Sequence, residues 1–186
     1  YIWVFVAGRA NKRPGVRYCS TKPYDISSFE YVNESIMAYP QVMYDKDKGF
    51  FLFFTRYDGV RQLFWQTSQD GVEWTPYRKL ASIKEGSESK SGHYQISNVF
   101  EGKLCTAFNR HINGSVDTRT NIYYLQSTDW GRTWTTAVAD SRALVGPSGD
   151  KDPDVAILVD LDGRVVVRVA HSKDALVHHH PRLSEH

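Results

Sequence analysis

The stretch QSTDWGRTWTT, residues 126–136, places a serine, an aspartate, a glycine and a tryptophan directly after an apolar, strand-like segment. An aspartate in a turn can accept hydrogen bonds from backbone N–H groups, a glycine permits positive φ, and a tryptophan ring can be buried beside the turn. A shortened copy, SQDGVEW, occupies residues 68–74. Because the run occurs twice, we interpret it as a structural turn, and we expect neither Asp70 nor Asp129 to be catalytic.

The turn closes a longer repeat of short strands. In both copies an apolar strand that ends in arginine is followed by a second strand, which leads into the turn. The copies are FFLFFTR (50–56) with LFWQTS (63–68), and LCTAFNR (104–110) with YYLQST (123–128). Upstream, YIWVFVAGR and GVRYCST repeat the middle two strands, and downstream PDVAILVDLDGRVVVRVAH matches the first two strands, PQVMYDKDKGFFLFFTR. The repeat predicts units of about 1–34, 35–88, 89–148 and 149–186, the first and last incomplete.

Units of about 40–60 residues with four short antiparallel strands are typical of β-propeller blades. No segment shows a sustained helical period of apolar residues. We therefore predict an all-β chain that forms one partial β-propeller domain over residues 1–186. About three to four blades are fewer than the usual 4–8, so we expect either a longer complete propeller or an open arc. A β-sandwich with accidental internal similarity is the alternative.

Composition and charge exclude several classes of protein. Hydrophobic residues make up 41% of the chain and charged residues 24%, which is typical of a soluble globular protein. The net charge of +2, without a Lys/Arg block, argues against a nucleic-acid partner. The apolar runs fall far short of the roughly 20 residues that span a bilayer, so we expect no membrane partner. Two cysteines imply no disulfide framework.

The strand order predicts where a functional site lies. In a blade of strands A to D, the loops before A and after B emerge on one face, and the A–B and C–D turns on the other. His93 and Tyr94 precede an A strand, and the B strand of the same unit ends at Arg110 and His111. We expect these four side chains to converge on one rim. The equivalent positions of the other units are Arg9, Arg56 and His171.

These residue types suit an acidic sugar. Arginines present planar, permanently charged forks that pair with a carboxylate, and a histidine can transfer a proton near neutral pH. The structural alternative is that the strand-end arginines pair with acidic neighbours and that His93 is only a hydrogen-bonded turn residue.

Ser127-x-Asp129-x-Gly131-x-Thr133-Trp134 resembles the Asp-box, or BNR repeat, of sialidases and related carbohydrate-active propellers. Over about residues 1–140 the chain looks like the branch of that family that includes ulvan lyases. The segments that carry this resemblance are VFVAGR, RYCSTKPYDISSFE, AYPQVMYD, GHYQISNVFEGKLCTAFNRH and NIYYLQSTDWGRTWT. The resemblance implies a secreted or periplasmic protein whose substrate is an acidic polysaccharide or glycan. It places the two characteristic histidines of the family at His93 and His111.

The chemistry that the resemblance implies is β-elimination on a uronate-containing polysaccharide. It assigns His93 or His111 as the base, Tyr94 as the acid, Arg110 and Arg56 as carboxylate clamps, and Arg9 as a further substrate-binding residue. A tyrosine and an arginine from a later blade would complete the family's site, and no residues after Asp140 match them. A sialidase-like hydrolase and a non-catalytic glycan-binding propeller are the alternatives.

No cofactor is indicated with certainty, and a structural divalent cation, calcium or zinc, is left open. DKDPD, residues 150–154, has alternating acids but lacks the glycine and distal glutamate of an EF-hand loop. We interpret it as a solvated loop. The histidines near the end of the sequence could capture a metal adventitiously, and we interpret this segment as a tail; they are His178, His179, His180 and His186.

Overall fold

A computed structural model describes residues 1–81 and 91–135, together with the backbone of three later strand segments, 142–143, 155–159 and 165–169. The regular structure in these residues is β-sheet, apart from a short 3-10 helix at Ile112–Gly114. All strand pairs are antiparallel, and the sheets follow one another along the chain. This is the arrangement of a partial β-propeller, so the predicted fold class is confirmed.

The strands in the described part of the chain form four sheets. The first contains β1 (Trp3–Val6), β2 (Gly15–Ser20) and β3 (Phe29–Ser35), in that order. The second contains β4 (Ala38–Asp45), β5 (Gly49–Asp58), β6 (Val60–Ser68) and β7 (Arg78–Ala81). The third contains β8 (Gln95–Phe100), β9 (Lys103–His111), β10 (Arg119–Ser127) and β11 (Trp134–Thr135), with the short β12 (Arg142–Ala143) at its edge. The last pairs β13 (Val155–Val159) with β14 (Val165–Val169).

The core lies between successive sheets, and β5 contributes to it from both of its faces. Side chains alternate along a strand, so Phe51 and Phe53 face the third sheet, whereas Leu52 and Phe54 pack on the opposite side. Trp134, 2% exposed, fills the space between the second and third sheets, with its ring centroid 5.7 Å from that of Phe53. Burial of such large apolar side chains on both faces holds neighbouring sheets together.

The repeated aspartate turns follow β6 and β10. Asp129 accepts hydrogen bonds from the backbone N–H of Thr133 at 2.8 Å and from the Ser127 hydroxyl at 2.8 Å. Burial acts to raise the pKa of Asp129, but the hydrogen bonds from Thr133 and Ser127 outweigh it and hold the pKa below its usual value. Asp70 accepts backbone hydrogen bonds from Val72 and Glu73 in the other copy. The carboxylates are thus engaged by their own turns, as the structural interpretation predicts.

The strand register separates two ends of the blades. Asp45 pairs with Gly49 and Phe50 with Ser68, so the β4–β5 turn and the aspartate turn after β6 lie at one end, called here the turn face. The other end holds the β5–β6 hairpin, the end of β9 and the starts of β8 and β10. We call it the histidine rim because His93 and His111 lie there. No helix in the described part of the chain is long and apolar enough to cross a membrane.

Candidate functional site

Backbone hydrogen bonds assemble the histidine rim from two sheets. The N–H of His111 donates to the carbonyl of Gly92 at 2.7 Å, which ties the end of β9 to the segment before β8. The N–H of His93 donates to the carbonyl of Arg61 at 2.9 Å and so joins that segment to the start of β6. The second and third sheets therefore hold His93, His111 and Arg61 in fixed relative positions.

His93 is fully buried and neutral. Its ring packs edge-on against Phe108, with centroids 5.7 Å apart, and its Nδ1 lies 2.9 Å from the carbonyl oxygen of Asn109. A carbonyl can only accept a hydrogen bond, so Nδ1 carries the ring proton and Nε2 carries the lone pair. Burial lowers the pKa of His93 to about 4, although the hydrogen bond to the Asn109 carbonyl acts to raise it, and the charge of Arg110 adds to the lowering. His93 is therefore unprotonated at neutral pH.

His111 is also buried and contacts Tyr94. The His111 side chain is 1% exposed, and its ring centroid lies 4.8 Å from that of Tyr94. Burial, and then the charges of Arg119 and Arg61, lower the pKa of His111 below its usual value. Among residues 1–81 and 91–135, no hydrogen-bond partner reaches its Nε2. His111 is thus a neutral imidazole whose Nε2 is not engaged by the described residues.

The principal cation packed against Tyr94 is Arg61, which the sequence analysis did not identify. Its Cζ lies 3.9 Å from the ring centroid of Tyr94 and 5.2 Å from that of Tyr39. Its Nη2 donates to the Tyr57 hydroxyl at 2.8 Å. The side chain is only 9% exposed, and within the described residues Nε and Nη1 have no hydrogen-bond partner. These contacts fix a positive charge beside the histidines.

Two cations and a second tyrosine pack against Tyr94. Besides Arg61, the Cζ of Arg119 approaches its ring centroid to 5.0 Å. The ring of Tyr39 meets it edge-on, with centroids 5.4 Å apart. The hydroxyl of Tyr94 and burial raise the pKa of Tyr39. Tyr94 is thus held in a cationic, aromatic environment at the rim.

The remaining predicted site residues have different positions. Arg110 is 5% exposed and close enough to His93 for its charge to lower the pKa of that histidine. Arg56 lies over Tyr77, with its Cζ 3.9 Å from the ring centroid, and its aromatic contacts in the described residues do not include Tyr94 or the histidines. Arg9 is exposed, and its backbone N–H donates to the carbonyl of Arg13 at 2.9 Å.

The register of the β5–β6 hairpin explains why Arg56 and Arg61 differ. Arg56 pairs with Gln62, and Tyr57 pairs with Arg61. Directly opposite residues share a face and successive residues alternate, so the side chains of Arg56 and Arg61 emerge on opposite faces of the sheet. A sequence signal for Arg61 did exist, because β6 and β10 both carry an arginine at their start, Arg61 and Arg119.

The described residues contain no group of three or more His, Cys, Asp or Glu side chains placed to hold a metal ion. The candidate ligands in 150–154 and 178–186, and His171, lie outside the described residues.

Comparison with solved structures supports the fold. The chain is similar to an ulvan lyase of a new polysaccharide lyase family, PL25, with a TM-score of 0.59 and 15% sequence identity. A structure of the PL25 ulvan lyase bound to -[GlcA(1-4)Rha3S]- matches with a TM-score of 0.58, also at 15% identity. In both comparisons the match covers 91% of this chain and 46% of the lyase. No protein-family model and no curated protein matches the sequence.

Proposed function

We propose that the chain is part of a polysaccharide lyase that cleaves a uronate-containing, ulvan-like polysaccharide by β-elimination. The observation that carries the proposal is a neutral His111 beside the fixed charge of Arg61 at the histidine rim. Within the described residues neither side chain forms an ion pair with a carboxylate. Most glycoside hydrolases instead need two carboxylates flanking the scissile bond. The likeness to PL25 ulvan lyases supports the same choice.

In the proposed reaction His111 is the base. Its Nε2 takes the proton from C5 of the uronate, and the electron pair of the C–H bond forms the C4–C5 double bond as the C4–O bond breaks. The Tyr94 hydroxyl protonates the leaving glycosidic oxygen. Since His93 has its Nδ1 engaged by the Asn109 carbonyl and its ring packed against Phe108, we assign it a positioning role.

Cations at the rim lower the barrier. Removal of the C5 proton spreads negative charge onto the uronate carboxylate, and positive charge fixed nearby stabilises that state without reorganisation. We assign this role to Arg61, which packs on Tyr94 beside His111. Arg110 precedes His111 in β9, so its side chain lies on the opposite face, near His93, and we assign it a supporting role there. Arg56 and Arg9 belong to the proposal only as contacts to more distant sugars of the polymer.

The test is to incubate the protein with ulvan and other uronate polysaccharides and to follow two signals in the same sample. A lyase produces an unsaturated uronate that absorbs in the ultraviolet together with each new reducing end. New reducing ends without the absorbance would instead indicate a hydrolase, and binding with neither signal would indicate a non-catalytic propeller. Either result would reject the proposal, whereas loss of both signals in His111→Ala would support it.

A further inference from the structure

A cleft of about 470 Å³ lies on the turn face, between the second and third sheets. Its volume is within the roughly 300–1,000 Å³ typical of small-molecule sites. One wall comes from the β4–β5 turn, β6 and the start of β7, and the other from the aspartate turn after β10. Since the histidine rim is at the opposite end of the strands, this cleft is separate from the proposed catalytic site.

Two tryptophans line the cleft. Trp65, 6% exposed, belongs to β6, and Trp130 belongs to the aspartate turn of the third sheet. The indole Nε1 of each is buried and has no hydrogen-bond partner in the described part of the chain. Buried indole N–H groups usually find an acceptor, so a ligand that brings hydroxyl or ether oxygens into the cleft would satisfy both.

Cations surround the same cleft. The Lys48 Nζ lies 5.2 Å from the ring centroid of Trp130, and the Cζ of Arg78 lies 5.3 Å from that of Trp65. Arg132 is exposed at the edge. Two carboxylates also line the cleft: that of Asp129 is occupied by its own turn, and Asp47 adjoins Lys48, which itself pairs with Asp45 at 3.8 Å. The exposed arginines Arg78 and Arg132 form no ion pair within the described residues. The cleft therefore favours an anionic ligand.

We propose that this cleft is a second, non-catalytic binding site for an acidic oligosaccharide. The sugar ring would lie against Trp130, since the ring of Trp65 is already stacked on Phe51 with centroids 5.0 Å apart. Sugar oxygens would accept from the indole Nε1–H groups, and a carboxylate or sulfate would pair with Arg78 and Arg132. Such a site would anchor a polymer on the turn face while another part of it occupies the histidine rim. The binding does not depend on whether the rim cleaves the polymer.

The test titrates the ¹⁵N-labelled protein with a glucuronate-containing tetrasaccharide and with its carboxyl-reduced counterpart. The indole N–H signals, assigned with Trp65→Phe and Trp130→Phe, report on the cleft directly. We expect saturable shifts of both signals with the acidic sugar only. The affinity at these signals should fall about tenfold or more in the double variant Arg78→Gln/Arg132→Gln. The charge-matched control Lys12→Gln/Lys22→Gln should bind normally.

Three results would overturn the proposal: no shift of either indole signal, equal shifts with the carboxyl-reduced sugar, or unchanged affinity in a correctly folded Arg78→Gln/Arg132→Gln protein. Circular dichroism of each variant checks the fold. Shifts confined to rim residues would leave the lyase proposal intact while rejecting the second site, so the two proposals can fail separately.

Discussion

Replacing Asp129 with alanine tests whether the aspartate turn is structural or chemical. Its Oδ1 accepts from the Thr133 N–H and the Ser127 hydroxyl, and its Oδ2 accepts from the Thr133 hydroxyl at 2.6 Å. The Ser127 oxygen in turn accepts from the N–H of Gly131 at 2.8 Å. The carboxylate thus organises the whole turn.

The expected cost follows from these contacts. A typical intramolecular hydrogen bond contributes about 0.5–1.5 kcal/mol net, and water can replace part of it at a partly exposed site. The three bonds to Asp129 therefore predict a loss of about 2–3 kcal/mol in the free energy of unfolding. For a domain of this size that corresponds to roughly 4–12 °C in Tm.

The assay is thermal unfolding at neutral pH, with Asp117→Ala as the control because Asp117 is exposed. Lyase turnover should stay close to that of the native protein below the lowered Tm. An unchanged Tm combined with lost turnover would refute the structural interpretation. Because the pKa of Asp129 is lowered on folding, its contribution to stability is present above the ordinary carboxyl pKa of about 4 and is lost as the pH falls through the folded value.

The remaining predictions concern the histidine rim and the core. Arg61→Met should lower kcat/KM on a uronate polymer by roughly 10–100-fold, since a fixed cation is lost, whereas Arg56→Met, on the opposite face, should have a much smaller effect. The acid limb of kcat/KM against pH should move upward in Arg61→Met, because one of the two charges that, with burial, lower the pKa of His111 is removed; an unmoved limb would contradict this assignment. Trp134→Ala should destabilise the protein by about 3–5 kcal/mol in denaturant unfolding, and the exposed Tyr24→Ala should leave the midpoint nearly unchanged.

The all-β fold was predictable from the sequence because it depends on local chemistry. Alternating apolar residues, turn glycines and two copies of the aspartate turn each act over a few residues, and their spacing along the chain indicates repeated four-stranded units. The short edge strand β12 was not predicted. It pairs with β11 over two residues, which is too short for a pattern of alternating side chains to predict it.

For the candidate site, the sequence by itself determined which strand ends share a rim, and therefore that His93, Tyr94, Arg110 and His111 belong to the same end of the blades. Tertiary structure decided which charges accompany them. A shift of one residue in hairpin register reverses the face of every side chain, so the choice of Arg61 rather than Arg56 required the pairing of β5 with β6. The lowered pKa values of the histidines likewise depend on burial between sheets, which arises only when distant segments of the chain pack together.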